Sequence, residues 1–530
     1  MRSAILPVAI IVLCSSLFGQ QPVALESGLG DLHYAVTTKN AEAQRYFDQG
    51  MRYVYAFNHE AAVSSFKHAA ELDPDLAMAY WGQALALGPN INLDVDPDRE
   101  KQAYDLAQAA LAHAQNASEK ERDTINVLTK RYSNDPKADL KKLSADYSAA
   151  MAELHARYPD DPDIATLYAE SMMDLHPWRF WTHDGKPAEG TQKIVDVLES
   201  VLKKHPQHMG ANHYYIHAVE GSPHPERATR SAERLRTLAP AAGHLVHMPA
   251  HIDQRTGNYS GAAAANIAAA KADRQFMKVH GNESMYSMMY YSHNLDFGAA
   301  SYAMVGEFAK ARELADEMTK NAQQMAKQMP PAEVLTSNSL KILVRFGKWT
   351  DILKAPDQSG GPVSSVFRHY ARGVAFAKLG NLEGARAEQK ELEAGLPALG
   401  DDPGFLQNPQ KSIGAITAAL LEGHIAEADG NHAAAIAAFR RAVEAEDALN
   451  YDEPPDWFYP TRETLGAALL HAGQSAEAEK VFREDLARNP NNPRSLYGLT
   501  QALKAQKKPS AKPAAAFQQA WRGDAHDPLR

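Results

Sequence analysis

The strongest restriction on this chain is a spacing. Counting Ala43 as the first position of a unit, Tyr46, Gly50, Tyr53, Ala62, Phe66, Ala69 and Pro74 fall at offsets 4, 8, 11, 20, 24, 27 and 32. Small residues at offsets 8 and 20 let two antiparallel helices approach. Bulky ones at 4, 11 and 24 fill the seam, and proline stops the second helix. The frame returns downstream, where Pro206 and Pro240 stand 34 residues apart and close two successive units. Gly257 with Ala262, Gly306 with Ala311, Gly380 with Ala385, Gly430 with Ala435 and Phe439, and Gly473 with Ala478 and Phe482 mark further turns.

This is the tetratricopeptide repeat (TPR) pattern, and about nine or ten such units predict an all-α fold. The architecture expected is a TPR superhelix, an α-solenoid of helix-turn-helix repeats. The frame divides the chain into N-terminal TPR units (43–115), a helical segment with an aromatic insertion (116–205), central His-rich units (206–330) and C-terminal units (331–503). A linker (20–42) precedes them and a Lys-, Pro- and Ala-biased tail (504–530), expected to be partly disordered, follows.

Composition narrows the classes of function. Against 55 Lys and Arg stand 65 Asp and Glu, a net charge of -10, so no general footprint for phosphate backbones exists and nucleic acid is not the expected partner. Residues 1–19 place Arg2 before an apolar run and end at Gly19, which reads as an export signal, with a periplasmic or secreted protein as the consequence. A retained anchor, or lipidation of Cys14, is the alternative. The later sequence holds no stretch of eighteen apolar residues, so integral membrane association is not expected. Cys14 is the only cysteine, so a metal in the folded part must be held by nitrogen and oxygen.

Three interruptions break the period. Residues 89–97 read PNINLDVDP, which lacks the glycine and distal glutamate of a calcium loop and is expected to be a solvated turn. Residues 176–190 carry Trp178, Phe180 and Trp181 with His176 and His183, and suit either a lid over a cleft or a plug in the core. Residues 277–291 are rich in Met and Tyr, for which core packing is expected.

The histidines have a phase. In the unit beginning at Met209, His213, His217 and Glu220 occupy offsets 5, 9 and 12 of the first helix; in the unit beginning at Gly243, His244, His247 and His251 occupy 2, 5 and 9. At about 100° per residue these cluster within about 80°, away from the packing stripe. First helices line the concave wall of the superhelix, so both stripes are expected to face one groove, with His293 of the next unit as a third wall and Asn294 and Asp296 beside it. Histidines at i and i+4 can bind one ion, and the seven candidates, His213, His217, Glu220, His244, His247, His251 and His293, exceed what one ion needs, so two metals are allowed. Unmetallated, they would crowd imidazoles that repel one another on titration. Pro249, between His247 and His251, threatens to kink the helix and displace His244. His59, His68, His113 and His155 are expected on exposed faces, and His224 in a turn.

The strings HYYIHAVEGSPHPERA, GHLVHMPAHI, YYSHNLDF, DLHPWRFWTHDG and DEPPDWFYP resemble a large family of exported bacterial TPR proteins. A weaker similarity, in HMPAHI and YSHN, links the chain to a cytosolic animal TPR protein. The resemblance implies an α-superhelix with a His-lined inner surface and names no reaction.

Two classes of function remain. One is a metalloprotein, expected to be an enzyme, holding one or two transition-metal ions: copper, zinc, iron or manganese. A hydrolytic version would use Glu220 as the catalytic base; an oxidative version would place Tyr214, Tyr290 and Tyr291 near the metal. The two HxxxH strings resemble, in spacing alone, the helices of coupled dinuclear copper proteins. The other class is a non-catalytic scaffold gripping a peptide in the concave groove, or a protein partner on the C-terminal repeats; the expected occupant of the groove is a small molecule or a peptide. Metal storage or delivery would share the site without turnover.

Overall fold

The computed structural model describes residues 23–282, 284–357, 360–403, 406–524 and 528–529, so the expected signal segment and Cys14 lie outside the described residues. The chain is an all-α TPR superhelix. Among the described residues there is no strand, only two isolated bridges, Asn90 with Leu93 and Trp181 with Pro187. None of the described helices is long and apolar enough to cross a membrane.

Helices pair as the spacing requires, beginning with Ala41–Tyr55 against His59–Leu72. Three of the turns share one local recipe. Gly257, Gly380 and Gly430 adopt φ of 80°, 78° and 76°, the left-handed region that glycine enters without a Cβ penalty. The asparagine that follows each one, Asn258, Asn381 and Asn431, accepts from a backbone N–H in the first turn of the next helix at 3.2, 2.9 and 3.1 Å.

The offset-24 phenylalanines explain the small residues at offset 8. Phe66 lies against both Gly50 and Gly82, and Phe482 against both Gly466 and Gly498, so one ring wedges between first helices of successive units. A Cβ added at Gly498 would stand 2.2 Å from the Phe482 ring. Alanine favours helix by about 1 kcal/mol over glycine, whereas overpacking a tight core costs about 1–3 kcal/mol. At this separation overpacking wins. Gly498→Ala is therefore expected to lower the denaturation midpoint, measured by circular dichroism in urea.

The interruptions are built into the structure. Residues 23–40, expected to be a linker, run without helix along the repeats: Leu29 and Tyr34 are buried, and Ala241 N–H donates to Gly28 O at 2.9 Å. The 89–97 loop is a wall, not a solvated turn, because Asn90 and Ile91 are buried and Asn92 Nδ2 donates to the Tyr290 hydroxyl at 3.1 Å. The aromatic insertion divides its roles. Phe180 is buried and Trp181 Nε1 donates to Ala218 O at 2.8 Å, as a plug would. Trp178, at φ 62°, faces a cavity instead and donates to Asn92 Oδ1 at 3.2 Å. Met277, Met285, Met288 and Met289 are half-buried and not core; the tyrosines beside them, Tyr286 and Tyr291, take the buried positions.

The tail expected to be partly disordered contains helix Ala511–Ala520. Trp521 then closes over Gly306 with the Arg494 guanidinium 5.2 Å from its ring, and Arg522 N–H donates to Val305 O at 2.8 Å. Aromatic stacking and backbone bonding outweigh the polar composition that suggested disorder. The C-terminal half also curls back onto the centre. Tyr259 donates to Pro490 O at 3.0 Å, and Arg255 lies 5.4 Å from the ring of Tyr451.

Candidate metal centre

Three segments bring the histidines together. Helix Met209–Glu220 starts at His208, whose ring nitrogen accepts from Ala211 N–H at 3.0 Å, and stacks His213, His217 and Glu220 on one face. The next pair of short helices, Gly243–His247 and Pro249–Thr256, supplies His244, His247 and His251. Pro249 does not displace His244. It occupies the first position of its helix, where its missing N–H costs nothing, and Met248 keeps helical φ and ψ of -49° and -35°. Helix Met285–Val305 brings His293.

The cluster is buried, with four of its histidines on the wall of a cavity. His213, His217, Glu220, His244, His247 and His251 are each 0–3% exposed, and His293 is half-buried. Two groups of three can each hold an ion: His213, His217 and His244, and His247, His251 and His293, with ligand atoms within 4.8 Å of one another in each group. A third grouping, His217, Glu220 and His251, overlaps both.

Hydrogen bonds fix several of the tautomers. His213 Nδ1 lies 2.8 Å from the Tyr55 carbonyl oxygen and His217 Nδ1 lies 2.7 Å from Glu220 Oε1. His247 Nδ1 lies 2.7 Å from Asn266 Oδ1, whose own amide nitrogen is committed to Ala262 O. Each of these partners can only accept, so each Nδ1 carries the hydrogen and each Nε2 keeps a lone pair. Three lone pairs, those of His213, His217 and His247, therefore point into one buried space, while His251 Nδ1 stands beside Glu220 Oε2 as an ion-pair contact outside hydrogen-bond geometry. His247 Nε2 and His251 Nε2 approach to 2.7 Å, His213 Nε2 lies 3.0 Å from His244 Nε2, and His217 Nε2 has no partner among the described residues.

Protons do not relieve this crowding at neutral pH. Burial first, then the neighbouring imidazoles, hold His213, His244 and His247 well below the usual histidine range, and burial and His251 bring His293 to about 3. Burial also lowers His217, against the pull of Glu220. A cation accepting nitrogen donors suits what the geometry leaves unsatisfied.

Glu220, expected as both a ligand and a base, is fully engaged. Its carboxylate accepts from His217, faces His251 Nδ1 in an ion-pair contact, and lies 3.1 Å from the Tyr451 hydroxyl, whose hydrogen it shares with Glu453. Burial would raise its pKa, but His251 and the bonds from both histidines outweigh that and hold it below the usual carboxylate range. A saturated, strongly acidic carboxylate orients its neighbours and has no free oxygen with which to take a proton.

Other expected residues sort by distance. Tyr290 packs 4.7 Å from the His244 ring and Tyr214 5.1 Å from that of His213, whereas Tyr291 turns away to Glu317 and Arg274. Asn294 donates to Asp273 and Asp296 lines the cavity described next. His176, His183 and His224 are exposed and join no group; His59, His68, His113 and His155 are half-buried, not exposed, and also stay outside. Sequence reasoning missed Tyr55, Asn266 and Tyr451. Asn266 carried a signal, as the one polar side chain in the string AAAANIAAA.

A cavity of about 180 Å³ adjoins the histidines. His217, His244, His251 and His293 form one side, Trp178 and Tyr290 another, and the segment 452–456 closes it.

Residues 416–448 match the family model TPR_8, described as a tetratricopeptide repeat. No curated relative matches the chain in sequence. Among solved structures the chain is similar to the anaphase-promoting complex hetero-tetramer Cut9-Hcn1 (15% identity, 87% of this chain and 76% of that one, TM-score 0.34). It is also similar to a human IFIT1 dimer with m7Gppp-AAAA (13%, 92% and 90%, TM-score 0.33) and to yeast Tom70 (12%, 91% and 92%, TM-score 0.31).

Proposed function

We propose that this protein is a two-metal protein in which His213, His217 and His244 hold one ion and His247, His251 and His293 the other. The observation that carries the reading is the set of three Nε2 lone pairs, of His213, His217 and His247, fixed toward one buried space beside His244, His251 and His293. Donors that are all imidazole favour copper or zinc; manganese prefers the carboxylates that this arrangement keeps one shell away. Copper would supply oxidative chemistry and zinc hydrolytic chemistry. The chain's residues orient the donors through Glu220, Asn266 and the Tyr55 carbonyl, bury five of the six histidines, and offer a small cavity beside both groups. That cavity is too small for a peptide, which disfavours the gripping scaffold at the centre. We place the protein outside the cytoplasm on the strength of residues 1–19.

Elemental analysis of protein purified without a His tag or chelator is expected to give two equivalents of one element. No uptake after reconstitution with copper, zinc, iron or manganese would sink the reading.

Proton linkage supplies a second check. A ligand histidine of ordinary pKa, near 6.5, must lose a proton to bind below that pH, which costs about tenfold in affinity per histidine by pH 5.5. Here burial keeps His213, His217, His244, His247 and His293 unprotonated in the metal-free fold. Affinity for zinc, measured by chelator competition, is therefore expected to stay nearly flat between pH 7.5 and 5.5. A thousandfold loss would show that the histidines titrate normally.

A further inference from the structure

The cavity beside the histidines has one unanswered demand. Glu453, 4% exposed, lines it from the C-terminal side; its Oε1 lies 3.1 Å from the Tyr451 hydroxyl, whose single hydrogen it shares with Glu220, while Oε2 is buried without a partner among the described residues. A buried carboxylate oxygen left unpaired is costly, so the position calls for a hydrogen-bond donor that the described chain does not supply. The remaining walls are largely apolar or aromatic: Trp178, Met289, Tyr290, Leu406, Pro454 and Pro455.

Size and charge limit the donor's carrier. An apolar cavity of about 150 Å³ admits a benzene ring, and this one measures about 180 Å³. One ring with a small substituent fits; a second ring does not. Asp296, Asp452 and Asp456 share the lining with Glu453, against Lys341. Burial raises the pKa of all four carboxyls, that of Glu453 to about 7, so this wall turns an acidic ligand away as they ionise above that pH, where the binding test belongs. A cationic ligand would meet the ions of the proposed centre on the opposite side. A neutral molecule is left.

We infer that the cavity binds a single-ring aromatic molecule carrying a hydroxyl or amino group, a phenol or an aniline, whose donor hydrogen goes to Glu453 Oε2. This names the substrate class of the proposed centre, and it rests on that reading for the chemistry, though not for the binding. The ring lies between Trp178 and Tyr290, with its substituted end toward Glu453 and in reach of the histidine side. Entry is through an outer cavity of about 710 Å³, which shares Asn92, Trp178 and Gln407 with the inner one.

The test is calorimetric titration, with tryptophan fluorescence in parallel, of 4-methylphenol, 4-methylaniline, 4-methylanisole and 4-methylbenzoate into protein loaded with redox-silent zinc and into metal-free protein. The phenol and the aniline are expected to bind at least tenfold more tightly than the anisole, which has the same ring but no donor. Glu453→Leu, checked for retained helicity, should erase that preference. Glu453→Gln, which keeps one acceptor oxygen without the charge, should retain part of it, and this variant decides the matter if the leucine protein does not fold. Equal binding of phenol and anisole by the native chain, an undiminished preference in either variant, or tightest binding of the benzoate would overturn the inference. The metal-free arm separates the two readings. Donor preference without metal uptake would leave this inference standing and sink the two-metal centre; full metal occupancy without donor preference would do the reverse.

Discussion

His213→Ala and His293→Ala are each expected to leave one bound ion of two, and the double variant none. His213 belongs only to the first group of three and His293 only to the second, so each substitution strips one nitrogen from one ion. Structural zinc sites with four ligands release about 10–16 kcal/mol on binding, which assigns about 3–4 kcal/mol to each ligand. Loss of one donor should therefore weaken the affected site about 100- to 1000-fold and leave its neighbour nearly unchanged. Elemental analysis after dialysis against a weak chelator reads the difference. Full retention of metal in both variants would place the ion in the overlapping grouping of His217, Glu220 and His251, and the division into two triads would fall.

Substitution of Glu220 should act on both ions at once. Its carboxylate accepts from His217 of one triad, faces His251 of the other in an ion-pair contact, and shares the hydrogen of Tyr451. Glutamine at this position keeps one acceptor oxygen and turns an N–H₂ toward a ring N–H, so one imidazole must reverse its tautomer and present hydrogen where a lone pair stood. Loss of such an orienting partner typically costs about 10- to 100-fold in metal affinity. Glu220→Gln is therefore expected to weaken both sites together, in contrast to the single-site losses above. Glu220→Ala should add a fold penalty of about 3–5 kcal/mol, since the buried groups around it lose their acceptor, seen as a lower denaturation midpoint of the metal-free protein. If only one site weakens, Glu220 serves as a ligand of that ion and not as a bridge between two sets.

The repeat architecture was legible because its causes are local. A glycine that must enter the left-handed region, an asparagine that caps the next helix and a phenylalanine wedged between two glycines all lie within one unit, and their spacing shows in the sequence. The histidines were legible for the same reason, since i and i+4 positions of one helix share a face. Their burial was not. The superhelix curls far enough that residues 451–456 cover the central units, and nothing in a period of 34 tells how far successive units rotate. The Tyr451 hydroxyl that reaches Glu220 was equally out of sight, because it comes from a distant repeat. At the tail, composition could not show that Trp521 docks on a glycine too far away in sequence for local reading to connect them.

The bond between Tyr451 and Glu220 spans 231 residues. All six histidines are synthesised long before their cover exists, so a chain still emerging from the ribosome, or one clipped ahead of residue 451, would present the full donor set to any ion and enclose none. For the proposed metal centre, loading would thereby be a matter of timing: the site would close on its ions only when the last repeats have folded home, and premature ions would remain free to leave.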